Sequence, residues 1–129
     1  MDEPIILLVE DDTLISLVAH DALEAGGFSV VVARAGSEAF EILDARSGEL
    51  SGVVTDIRLG GGPNGWVVAR HAREARPDVP IVYTTSDGAA EWPVQGVPNS
   101  VLVQKPYAPM QLLTAISSLI TKADTNSAS

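Results

Sequence analysis

Five short apolar runs, spaced by amphipathic stretches, constrain the fold of this chain more than any other feature. They are Ile5–Val9, Phe28–Ala33, Gly52–Thr55, Ile81–Thr84 and Leu102–Gln104. Several are rich in Val or Ile, and none alternates cleanly with polar residues, as expected of strands covered on both faces. The stretches between them repeat apolar residues at helical spacing. Asp12–Ala25 carries Leu14, Ile15, Val18, Ala22 and Ala25, with Gly26-Gly27 as a stop. Ser37–Ala45 carries Ala39, Ile42 and Leu43, with Ser37 as the predicted N-cap. Asn64–Arg76 opens on a candidate Asn cap and ends before Pro77. Met110–Lys122 carries Leu112, Leu113, Ile116, Leu119 and Ile120, and Pro109 suits its first turn. Strands alternating with helices predict a doubly wound α/β domain, and right-handed crossovers put helices on both faces of the sheet.

The stretch Asp87–Asn99 fits this pattern least. It holds Gly88, Pro93, Gly96 and Pro98, so only a short helix is predicted there, over Ala89–Trp92. Residues 1–122 are read as one domain, and the small polar residues 123–129 as a frayed C-terminal tail. The absence of cysteine rules out disulfides and thiolate metal sites. A net charge of −9 argues against a nucleic-acid face, which needs clustered Lys and Arg. No apolar run approaches the roughly 20 residues of a membrane helix. The acidic start, Met1-Asp2-Glu3-Pro4, is unlike a signal peptide, so a soluble cytoplasmic protein is expected.

The strand ends carry the chemistry. Glu10 and Asp11 close the first run, Asp56 the third, Thr84 and Thr85 the fourth, and Lys105 the fifth. In an open parallel sheet, ligands bind in the crevice outside the carboxyl ends of the strands. Three carboxylates there repel each other by about 4 kcal/mol per pair at ~4 Å and an effective dielectric of ~20. One lysine cannot balance them, so the pocket should recruit a hard divalent cation, and oxygen-only ligands with room for phosphate suit Mg²⁺. Asp12 is better placed to cap the first helix. His20 and His71 lie on amphipathic stretches and read as structural, and Trp66 and Trp92 as partly buried packing residues. Gly60-Gly61-Gly62 lacks the Lys-Ser/Thr of a nucleotide loop.

Four segments in this order resemble the response-regulator receiver domain: Leu8-Val9-Glu10-Asp11-Asp12, Val53-Val54-Thr55-Asp56-Ile57-Arg58, Pro80-Ile81-Val82-Tyr83-Thr84-Thr85 and Gln104-Lys105-Pro106-Tyr107. Asp11 and Asp56 are 45 residues apart, and Asp56 and Lys105 are 49 apart. The resemblance runs from about Ile5 to Ile120 and is nearest to receivers that stand alone or end hybrid histidine kinases. It implies a flavodoxin-like five-stranded parallel sheet of order 2-1-3-4-5. It makes Asp56 the phosphoacceptor, Thr85 the switch hydroxyl and Lys105 the phosphate contact. Mg²⁺ would be held by Glu10, Asp11, Asp56 and the backbone carbonyl of Arg58. Arg58 and Asp87 would tune the phosphate lifetime, and Leu102, Trp92 and Tyr107 would belong to a switch and output surface. The implied partners are a sensor histidine kinase or histidine phosphotransfer protein and a downstream protein target. A homodimer through the fourth-helix, fifth-strand and fifth-helix face is a further candidate, with neither nucleic acid nor membrane as partner. The Lys105–Pro106 bond is a candidate cis peptide. Leu102 replaces a commonly aromatic residue, so the usual rotamer switch is not expected.

The implied function is a phosphoacceptor switch in a two-component phosphorelay, with self-phosphorylation and autodephosphorylation as its only chemistry. Two alternatives compete. A dehalogenase-like phosphatase also uses an Asp nucleophile but wants an acid two residues on, where this chain has Arg58. A flavodoxin-like binding module would want a hydroxyl-rich loop after the first strand, where this chain has Glu10-Asp11-Asp12.

Overall fold

The computed structural model describes residues 3–87 and 89–128. Five parallel strands form one sheet: β1 (Ile5–Val9), β2 (Ser29–Ala33), β3 (Leu50–Asp56), β4 (Ile81–Thr85) and β5 (Val101–Gln104). Their order is β2-β1-β3-β4-β5. The order reverses at β1, so β1 and β3 leave the sheet toward opposite faces and a crevice opens between their carboxyl ends. The helices between strands are α1 (Thr13–Ala25), α2 (Gly36–Arg46), α3 (Gly65–Ala75) and α4 (Trp92–Gln95), with α5 (Pro109–Ala128) last.

Strand pleating divides the core in two. Leu7 and Val9 of β1 face one layer with Ala39 and Leu43 of α2 and Trp66, Val68, Ala69 and Ala72 of α3. Ile6 and Leu8 face the other, with Ala19 and Leu23 of α1 and Leu112 and Ile116 of α5. Both faces being buried explains why the strands read as unbroken apolar runs. Asp12 caps α1, its carboxylate accepting from the Ile15 N–H at 2.9 Å, and Asn64 caps α3 through the Val67 N–H at 3.1 Å.

Four expectations are corrected. Ser37 is not a cap: α2 starts at Gly36 behind Ala35, and Glu38 reaches back to the Arg34 N–H instead. A Cβ on Gly36 would lie 2.2 Å from the Pro63 carbonyl oxygen, so this helix start fits against the loop before α3 only as glycine. The short helix near residue 90 lies further along than expected. A 3₁₀ turn spans Ala89–Glu91, and α4 follows with Pro93 in its first turn, where proline's missing N–H costs nothing. The tail is helical rather than frayed: α5 continues through 123–128, which hold neither Gly nor Pro to stop it, and Ser129 lies outside the described residues. Gly88 also lies outside them. Trp66 is fully rather than partly buried, its ring against Tyr83 at 4.7 Å.

The segment carrying α4 is held more firmly than its prolines and glycines suggest. The Tyr83 hydroxyl accepts from the Val97 N–H at 3.1 Å. Arg73 donates to the carbonyls of Val79 and Pro98 at 2.7 Å each. The Trp92 indole N–H donates to Ser100, whose hydroxyl donates to the Val97 carbonyl.

Candidate functional site

Each polar strand end arrives in the crevice by the register of the sheet. β1 and β3 pair with Val9 opposite Thr55, which sets Glu10 and Asp11 beside Asp56. β3 and β4 pair with Asp56 opposite Thr84, and β4 and β5 with Thr85 opposite Gln104, one residue before Lys105. The Lys105 backbone N–H donates to the Thr85 carbonyl at 2.7 Å, extending the last ladder into the site. The Lys105–Pro106 peptide is cis.

Lys105 is the centre of the arrangement. Its Nζ donates to Glu10 Oε1 at 2.8 Å and to Asp56 Oδ2 at 3.0 Å. The three side chains are 11%, 3% and 11% exposed, so these are largely dehydrated ion pairs. Burial pushes the Glu10 carboxyl up to about 7 and the Asp56 carboxylate adds to that, while bonds from Lys105 and the Asp12 N–H oppose it. Burial alone would lower the Lys105 ammonium, but its bonds to Glu10 and Asp56 prevail and hold it above its ordinary value. The site therefore keeps its cation and is strained on the acidic side, as expected when carboxylates outnumber the lysine.

The structure brings Glu10, Asp11 and Asp56 together, with one carboxylate oxygen from each within 4.8 Å of the others. Asp11 is exposed, so this donor set opens to solvent. Oxygen-only ligands, open on one side, fit Mg²⁺, which retains several waters.

Thr84 and Thr85 are both buried, and the Thr85 hydroxyl accepts from the Asp87 N–H at 3.1 Å. Arg58 and Asp87 form an ion pair at 3.1 Å, with side chains 76% and 54% exposed. The remaining expected residues divide. Leu102 and Trp92 pack against the α2/α3 side of the core, whereas Tyr107 packs against the α1/α5 side.

Two arrangements were not visible in the sequence. Leu14, Ile15 and Val18 of α1 join Ser86, Pro106 and Tyr107 around a hollow of about 480 Å³ that reaches Lys105. Their helical spacing read as a core face, but Leu14 and Val18 are exposed. His20 lies 3.5 Å from both Asp21 and Glu24, and the three gather on an exposed turn of α1. His71 is structural as expected, bonded to Asp44 at 2.7 Å and stacked on Phe40.

A doubly wound sheet with three carboxylates and a lysine at its switch point defines the class of this domain. The chain matches the family model for the response regulator receiver domain over residues 6–117. It is similar to the solved response regulator receiver protein from Sinorhizobium medicae WSM419, with 40% identity, a TM-score of 0.91 and 95% and 98% of the two chains covered. A response regulator receiver domain protein from Clostridium thermocellum shares the fold at 19% identity and a TM-score of 0.86, over 95% and 98% of the chains. Among curated proteins, it is 29% identical over 124 residues to the sensor kinase CckA of Brucella abortus (strain 2308), covering 92% of this chain and 13% of that one. It is 27% identical over 128 residues to the probable transcriptional regulator ycf29 of Porphyra purpurea, covering 95% of this chain and 59% of that one. The chain belongs to the response regulator receiver family of two-component signalling. Domains of this family are switches rather than enzymes, and they interact with histidine kinases and downstream targets. No helix among the described residues is long and apolar enough to cross a membrane.

Proposed function

We propose that this chain accepts a phosphoryl group on Asp56 from a histidine kinase or histidine phosphotransfer protein and signals by a change of conformation. The observation that carries this reading is the Lys105 ammonium joining Glu10 and Asp56 at 2.8 and 3.0 Å in the crevice. An Asp56 carboxylate oxygen attacks phosphorus in line. The bond from phosphorus to the donor's imidazole nitrogen breaks, and that nitrogen keeps the electron pair. Lys105 follows the new negative charge onto the phosphoryl oxygens. Glu10, Asp11, Asp56 and the Arg58 carbonyl would hold Mg²⁺, which neutralises charge on the same oxygens when bound.

The Thr85 hydroxyl is the switch group in this reading, turning to donate to the phosphoryl group. The apolar rim of Leu14, Ile15, Val18 and Tyr107 beside Lys105 supports a protein as donor, since a docking face buries such residues. The phosphatase alternative is disfavoured because Arg58 stands where its second acid would and is paired with Asp87.

The test is labelling with acetyl phosphate and Mg²⁺. Wild type should form an acid-stable, base-labile phosphoprotein, and Asp56→Asn should form none. Full labelling of Asp56→Asn would move the acceptor elsewhere. Asp11→Ala should keep the fold and weaken Mg²⁺ binding, and unchanged affinity would refute the acidic cluster as its site.

A further inference from the structure

We propose that Thr55 is a positioning residue for the phosphoacceptor, holding the peptide plane that carries Asp56; this rests on the reading of Asp56 given above. Thr55 is fully buried in β3, opposite Val9 on one side and Tyr83 on the other. Its hydroxyl donates to the Asp56 backbone carbonyl at 2.9 Å. That carbonyl lies past the last rung of the ladder to β1, where Val9 faces Thr55. The other end of the same peptide plane, the Ile57 N–H, donates to the Thr84 carbonyl at 3.0 Å. The plane is thus held at both ends, once by β4 and once by Thr55.

This plane matters because of what hangs on either side of it. The Asp56 carboxylate precedes it, and the Arg58 carbonyl follows one residue after Ile57. The chain beyond cannot fix their spacing, since Gly60 and Gly62 adopt positive φ of 73° and 85° in a loop built from freely turning residues. The next anchor is Gly65, whose N–H donates to the Ile57 carbonyl at 2.8 Å. A Cβ at Gly65 would lie 2.2 Å from the Asp56 carbonyl oxygen, so α3 already crowds the oxygen that Thr55 holds. Without the hydroxyl, the plane can pivot about the Ile57–Thr84 bond, and the nucleophile's direction of attack drifts. Thr55 has no contact with phosphate in this account; it acts through Asp56.

Valine is the informative replacement, being close to threonine in shape and compatible with apolar neighbours such as Val9 and Val53. A purely structural role predicts that Thr55→Val changes stability and leaves the chemistry alone. Positioning predicts that the chemistry slows as well. The maximal rate of labelling by acetyl phosphate, at saturating Mg²⁺, should fall about tenfold, as small misplacements of a nucleophile do. The half-saturating acetyl phosphate concentration should stay within about twofold of wild type, while the lost bond to the buried Asp56 carbonyl should lower the thermal midpoint somewhat. Thr55→Ala should be slow by a similar factor, and Thr55→Ser should recover most of the rate. Wild-type rates in a folded valine or alanine protein, or a serine protein as slow as the valine one, would overturn the proposal. Failure of the phosphoacceptor reading would show separately, as labelling that survives Asp56→Asn.

Discussion

Replacing Lys105 by Met keeps the aliphatic stem and removes the charge that joins Glu10 and Asp56. At 2.8 and 3.0 Å, each contact carries about 5–6 kcal/mol of Coulomb attraction at an effective dielectric of ~20. Most of that offsets the dehydration of three nearly buried groups, so the measurable loss is the penalty of stranding two carboxylates, about 3–5 kcal/mol. That is a large share of the 5–15 kcal/mol typical of a domain, yet the variant should still fold. The loss should depend on pH, and its sign follows from Glu10. Its carboxyl is raised from 4.5 to about 7, so the folded chain binds this proton more tightly than the unfolded one. Stability from this group is greatest at low pH and declines as pH rises from about 4.5 through about 7. The Lys105 bond is one of the influences holding Glu10 down, so the variant's carboxyl moves higher still and takes a proton near neutrality. The deficit of Lys105→Met should therefore be about 1 kcal/mol larger at pH 8 than at pH 6. Urea titrations of both proteins at the two pH values, in chelator and again with Mg²⁺, measure this directly. Mg²⁺ should return part of the loss at pH 8 by binding only the folded site. A deficit below about 1 kcal/mol at pH 8, or one larger at pH 6, would refute the electrostatic account.

Other consequences can be checked with single substitutions. If Arg58, paired with Asp87, screens the aspartyl phosphate from attacking water in the proposed reading, Arg58→Ala should shorten its lifetime severalfold while leaving Mg²⁺ affinity unchanged; equal lifetimes would rule this out. Tyr83→Phe strands the buried Val97 N–H and should cost about 1–3 kcal/mol in urea denaturation, with a loss near zero showing that the bond holds nothing. Trp66→Phe leaves Trp92 as the sole tryptophan, and its fluorescence should change on adding beryllofluoride with Mg²⁺; a flat signal alongside demonstrated binding would mean that this segment does not respond.

What was legible in the sequence follows from where the determining contacts lie. The strands were readable because burial on both faces leaves continuous apolar runs, their order followed from the family resemblance, and the crevice was readable because four of the five runs close in polar groups. Asp12 and Asn64 were recognisable caps because their partners are three residues away. Ser37 misled because the start of α2 is set by Gly36 against Pro63, a contact across 27 residues of chain. The length of α5 was missed because polar composition resembles a tail, while the absence of a helix breaker counted for more. Leu14 and Val18 read as core, yet they line an exposed hollow beside the site. Helical spacing reports that residues share a face, and only packing says what that face meets.

The same distinction bears on how the site could pass a signal onward. Composition made the whole stretch from Asp87 to Asn99 look loose, but its two halves are held by different things. The later half is tied to the body of the domain, through Tyr83 to Val97, Arg73 to Pro98, and Trp92 by way of Ser100. The start of the stretch is tied to the site, through the Asp87 N–H on the Thr85 hydroxyl and the Asp87 carboxylate on Arg58. A Thr85 hydroxyl that turns to a phosphoryl group disturbs the first of these bonds and leaves the later ties in place. The change would then be confined to a short lever between Ser86 and Glu91, with Trp92 as its pivot. A single charge-assisted hydrogen bond of about 1.5–3 kcal/mol is on the scale that biases such a local change. Leu102, without an aromatic ring to swing, can then stay where it packs.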